Sequence, residues 1–175
     1  MGLKLLGRNI IGGGGGQIVS GSGTISRNYM GAIRMRAITD SPTLGNPSGT
    51  FYSWTLSKDI VQAVGGYVNL PENIGNRKTM KVTVKYYNSA GGSGNIVWNI
   101  TVDGIRRSRS TFAYNMGETT ISGGSQFNSY SFFSTITTDF ENGDHVFVRI
   151  RRDATDGNDT YNQNANLVGV EMSFE

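Results

Sequence analysis

The chain has 175 residues, 25 of them glycine, with 37% apolar residues and a formal net charge of +3 at pH 7. That length suits one domain burying about 70% of its unfolded surface, and so mild a charge falls short of the footprint of a nucleic-acid-binding protein. The lack of cysteine excludes disulfides and thiolate zinc sites, and the one histidine, His145, makes a general base with an orienting partner hard to assemble.

No stretch is apolar for long enough to cross a bilayer, and Met1–Leu6 is too short and too soon followed by glycine to be a signal peptide. Synthesis in a cytosol, with no membrane partner, is expected. Residues 1–31 stand apart in composition: Leu3, Leu5, Leu6, Ile10 and Ile11 precede the glycine run Gly12–Gly16. A run of glycine carries a large entropic cost in any regular element, so a flexible linker is one reading. The five apolar residues at positions 3–11 support another, an extended glycine-rich arm that docks on a neighbouring subunit. The folded domain is then expected over residues 32–175.

Ala32–Ile38 begins that body, with Arg34 and Arg36 alternating with Ile33 and Met35 as on a strand with one wet face. Phe51–Leu56 is the next strand. Ser57–Asn76, with Ile60, Val61 and Val64 among glycines, reads as a segment wrapping one end. Thr79–Asn88 is a clear strand, Met80, Val82, Val84 and Tyr86 pointing one way and Lys81, Thr83, Lys85 and Tyr87 the other. A short glycine-rich loop leads to Ile96, Trp98, Ile100 and Val102, which predicts an antiparallel hairpin with Trp98 in the core. Residues 110–128 are polar and glycine-punctuated, and Ser129–Thr138 is a further strand, with Tyr130, Phe132 and Ile136 on one face.

The chain closes with a strand at His145–Arg152, where Val146, Val148 and Ile150 alternate with Phe147, Arg149 and Arg151. A polar loop follows, and then a strand at Asn166–Phe174, with Val168, Val170, Met172 and Phe174 on one face. About eight strands joined by Gly/Asn/Asp turns of uneven length predict an all-β fold, an antiparallel β-sandwich of jelly-roll or Greek-key type.

Two segments carry a resemblance. Lys81-Val-Thr-Val-Lys-Tyr-Tyr87 with Gly94-Asn-Ile-Val-Trp-Asn-Ile100, and Asn142–Thr160 closed by Leu167-Val-Gly-Val-Glu171, resemble a β-sandwich domain of tailed-phage virion proteins, over residues 51–175. The resemblance implies a non-enzymatic virion protein, foremost a capsid decoration (cement) protein that bridges subunits of the phage head. Its partners would be the major capsid protein or other virion subunits, it would form a homotrimer, and it would need no cofactor. The alternative, from a different class, is a receptor- or glycan-binding module of a tail or head fibre.

The partner-binding candidates are the arm residues Leu3, Leu5, Leu6, Ile10 and Ile11, together with Arg106, Arg107 and Arg109. Arginine's planar fork favours bidentate contact with carboxylates on an acidic surface. These arginines, like Arg149, Arg151 and Arg152, also fit a plain solvated face. Asp153, Asp156, Asn158 and Asp159 offer oxygen ligands for calcium but lack EF-hand spacing, and turn chemistry accounts for them equally. Tyr52, Trp54 and Tyr87 are candidates to stack on sugars or to pack within the sheets. Asp139, Glu141 and Asp144 meet only in a turn, so no catalytic or metal residue is assigned and no enzyme is expected.

Overall fold

The computed structural model describes residues 26–46, 51–70, 79–88, 90–106, 110–122, 129–137, 140–141 and 143–174. It is an antiparallel β-sandwich, as the alternating pattern predicts. Its elements are β1 (Ser26–Gly31), a 3-10 turn (Ala32–Arg34), β2 (Arg36–Thr39), β3 (Thr43–Gly45), β4 (Ser53–Leu56), β5 (Gln62–Asn69), β6 (Thr79–Tyr87), β7 (Asn95–Ile105), β8 (Thr111–Ser122), β9 (Ser129–Thr137), β10 (His145–Arg152) and β11 (Ala165–Phe174).

One sheet runs β3-β4-β11-β6-β9, with β1 also paired to β11; the other runs β2-β5-β10-β7-β8. From β4 onward the chain changes sheet at nearly every connection, the habit of a jelly roll. The glycine-rich loop between β6 and β7 is therefore not a hairpin turn, contrary to the sequence expectation. It carries the chain from one sheet to the other, and β7 instead forms its hairpin with β8.

Period-two alternation built the core where one face is sealed. Met80, Val82, Val84 and Tyr86 of β6 are buried, as are Val146, Val148 and Ile150 of β10. Trp98 fills the centre as expected, its ring 5.3 Å from Tyr86 and 5.7 Å from Phe132. On β11 the expected register breaks: Leu167 is buried while Val168 is only half-buried. A bulge between Leu167 and Gly169 shifts the pleat there, so Val170, Met172 and Phe174 face the core after it.

Three further expectations change. Ser26–Gly31, placed in the arm by the composition break at Ala32, form β1 and pair along β11. The rest of the arm lies outside the described residues. Ile33 is exposed because Ala32–Arg34 turns as a 3-10 segment and does not extend as a strand. Residues 57–76, read as an end-wrapping segment, contain β5, which lies between β2 and β10.

The polar loop after β10 is bound to the body. Arg152 is fully buried and holds Asp159 with two hydrogen bonds, Nε to Oδ2 at 3.0 Å and Nη2 to Oδ1 at 2.8 Å. It also donates to the carbonyls of Tyr161 and Gln163. Asp159 Oδ2 accepts the Val97 N–H as well, so the loop continues the ladder of β7 beyond the end of β10. Arg152 thus leaves the solvated face expected of it.

Candidate functional site

The outer face of the second sheet carries a groove lined by aromatic and charged side chains. Residues of β2, β5, β10, β7 and β8 that do not face the core stand in rows set by the strand register. One row is Tyr67, Phe147, Asp103 and Ala113; the next is Arg36, Gly65, Arg149, Thr101 and Asn115. A shallow groove of about 550 Å³ runs over them, lined by Arg36, Tyr67, Asp103, His145, Phe147 and Arg149 among others. From β5 to β8 it crosses three strand spacings, roughly 14 Å, room for a short oligomer.

Tyr67 is 68% exposed, an unusual state for a large aromatic ring on a sheet. It stands edge-on to Phe147 with centroids 4.9 Å apart, while Phe147 itself is largely covered. The cover has a local cause. Phe147 lies against Gly65, where an added Cβ would meet the Val148 carbonyl oxygen at 2.6 Å and the Phe147 ring at 2.7 Å. Glycine at 65 therefore makes the floor on which the aromatic pair is seated.

A Gly65→Val variant is accordingly expected to displace Phe147 and lower stability by about 1–3 kcal/mol, the usual result of overpacking. A denaturant titration would read this as a lower midpoint. An unchanged midpoint would mean that the ring does not depend on that floor.

Charged groups flank the rings. Arg36 lies over both, 5.7 Å from the Tyr67 centroid and 5.4 Å from that of Phe147. Arg149 donates to Asp103 at 3.1 Å. Farther along the strands the face turns polar: Arg151 pairs with Asp153 at 2.6 Å, and Asn99 donates to Asn115, whose side-chain oxygen also takes the N–H of Gly117. Gly117 has a φ of +84° where β8 bulges against β7, a conformation suited to glycine.

The sequence candidates fall elsewhere. Arg106 stacks on Phe112, 5.6 Å from its centroid, and reaches the Tyr114 hydroxyl at 3.5 Å. Leu3, Leu5, Leu6, Ile10, Ile11, Arg107 and Arg109 lie outside the described residues. Of the proposed stacking aromatics, Trp54 is buried and donates its indole N–H to the Ala32 carbonyl at 2.8 Å. Tyr87 is buried beneath Phe51, and Tyr52 alone of the three is exposed.

In the acidic loop, Asp159 is held by Arg152 and Asp153 by Arg151, and Asp156 caps the Asn158 N–H. These carboxylates are spent on the loop's own structure. Among the described residues no three His, Asp or Glu side chains gather as a metal site. Asp144, read as part of a turn, accepts the Glu141 N–H in one. The sequence missed Tyr67 because it sits on β5, whose Gly65-Gly66 pair looks like a turn.

The fold and this face together define a jelly-roll β-sandwich with an aromatic-floored groove across one sheet. No protein-family model and no curated protein matches the chain. Among solved structures it is similar to the CBM22-1–GH10 modules of the Clostridium thermocellum endo-1,4-β-D-xylanase 10B, complexed with xylohexaose. That likeness has 6% identity and a TM-score of 0.54, over 83% of this chain and 27% of that one.

The N-terminal CBM22-1–CBM22-2 tandem domain of Paenibacillus barcinonensis Xyn10C matches at 12% identity and TM-score 0.51, over 81% of this chain and 46% of that one. The C-terminal CBM6 of a laminarinase from Zobellia galactanivorans matches at 10% identity and TM-score 0.51, over 84% and 98%. The chain thus spans less than half of the first two of these structures and nearly all of the laminarinase module. At these identities the likeness establishes the fold.

Proposed function

We propose that this chain is a non-catalytic glycan-binding module that recognises an oligosaccharide along the outer face of the β2-β5-β10-β7-β8 sheet. The observation that carries the reading is the exposed Tyr67 ring, braced by Phe147 over Gly65 and set in a groove edged with arginine, aspartate and histidine. A pyranose presents a C–H face that packs on the negative face of an aromatic ring, while its hydroxyls seek planar polar partners at the rim. The groove volume lies within the range of small-ligand sites. That solved carbohydrate-binding modules share the sandwich supports the same reading.

In the virion setting that the sequence resemblance implies, such a face belongs to a tail or head fibre that engages a host surface glycan. The capsid-decoration reading draws on arm residues 3–11, which lie outside the described residues, and on a trimer, so the groove favours the fibre module over it.

The test is affinity electrophoresis of the whole purified chain through gels loaded with single plant, algal and bacterial polysaccharides, alongside its binding to phage heads lacking it. Retardation by at least one polysaccharide is expected. Free migration through all of them, with capture by the stripped heads, would replace this reading with the decoration protein.

A further inference from the structure

We infer that the glycan this groove takes is acidic, bearing a carboxylate or sulfate beside the sugar ring that packs on Tyr67. The inference rests on the glycan-binding reading and deepens it. Of the groove's two arginines, Arg149 is neutralised by Asp103 at 3.1 Å. Arg36 is different: its guanidinium carbon stands 5.7 Å and 5.4 Å from the ring centroids of Tyr67 and Phe147, within cation–π range, and the group makes no hydrogen bond or ion pair among the described residues.

A cation–π contact at this range engages the charge of the guanidinium and uses none of its N–H donors. Those donors form a fork whose geometry matches two oxygens of one anion. The groove therefore offers a ring platform with an unspent planar cation on it, and one pairing of opposite charges that cancels. A neutral glycan would meet Arg36 with hydroxyls alone, whereas an acidic sugar stacked on Tyr67 brings its anionic group within reach of the free fork.

The experiment compares polygalacturonate and κ-carrageenan with their carboxyl-reduced and desulfated counterparts, by affinity electrophoresis of the full chain. The variants are Arg36→Gln and, as a charge control on the opposite face, Lys81→Gln, which removes a cation lying over Phe133. Retardation by an acidic polymer is expected to vanish on its neutralisation. It should weaken roughly tenfold or more in R36Q, the loss of a charge-assisted pair, and stay unchanged in K81Q, with equal melting temperatures for all three proteins. The two acidic polymers separate carboxylate from sulfate recognition.

Equal retardation by acidic and neutralised polymers, an unaltered R36Q, or equal losses in R36Q and K81Q would each overturn the inference and leave glycan binding standing. The same holds for retention by other, neutral polysaccharides alone. Retention by no polysaccharide of any kind overturns both.

Discussion

An Arg152→Met variant is expected to lose about 3–5 kcal/mol of unfolding free energy, the cost of removing one partner from a buried ion pair. Both side chains are closed to solvent, at 0% and 1% exposure. The surviving Asp159 carboxyl would be left without its cation in a buried site where the Val97 N–H is the one side-chain-directed donor remaining among the described residues. The carbonyls of Tyr161 and Gln163, which now accept from the guanidinium at 2.9 and 2.8 Å, would lose those bonds too. Domains of this size hold only about 5–15 kcal/mol in total, so the loss takes a large part of the margin.

The signature is specific. Because the loop after β10 hydrogen-bonds β7 through Asp153, Thr160 and Tyr161, the amide hydrogens of Thr160 and Tyr161 should exchange faster in the variant than those of β6. Pairing Arg152→Met with Asp159→Leu should recover part of the loss, since neither buried charge then remains. Urea titrations of the single and double variants give the comparison. A single-variant loss below about 1 kcal/mol would mean that water reaches Asp159 and that the staple is a surface pair in effect.

How far the fold was legible follows from where burial is one-sided. β6 and β10 alternate cleanly because one face packs on the core and the other meets water or polar groups, so their residues sort by period alone. β11 defeated the pattern at one point, where the bulge moves Leu167 inward. β5 was lost for a deeper reason: its glycines serve close approach, Gly65 beneath Phe147 and Gly66 beside Met30, and a need that arises in tertiary contact reads locally as a turn. β8 was lost because it is a sheet edge, polar outside and only half-buried within.

The site was half legible for the same reasons. Alternation on β10 put Phe147 and Arg149 on the wet face, which is where the groove lies. Their partners Tyr67, Arg36 and Asp103 come from three other strands, and no spacing in the chain connects them. Trp54 and Tyr87 show the converse. Each has a sugar-stacking composition, yet Trp54 is committed to the Ala32 carbonyl and Tyr87 to the Ser53 hydroxyl and the Phe51 ring. Which aromatic is free to bind is decided by what covers it.

Tyr67→Ala is expected to abolish most glycan affinity while leaving the fold in place. An anchoring aromatic at the centre of a binding surface typically carries about 2 kcal/mol or more, roughly a 30-fold loss on truncation. Its own fold contacts are few: the ring is 68% exposed and meets Phe147 edge-on, so truncation should cost stability only about 0.5–1.5 kcal/mol, the worth of such a pair. Tyr67→Phe separates ring from hydroxyl. If the platform acts by stacking, the phenylalanine variant keeps most of the affinity, because the ring face and its support on Phe147 are unchanged. Titration calorimetry with whichever polysaccharide the wild type retains reads all three proteins. Undiminished affinity in Tyr67→Ala would move the site off this sheet, since no other exposed aromatic lines the groove among the described residues. The binding loss and the small stability loss must therefore part company in this variant, as they do not in Arg152→Met. One residue is exposed and spends its surface on a ligand; the other is sealed and spends its charge on the fold.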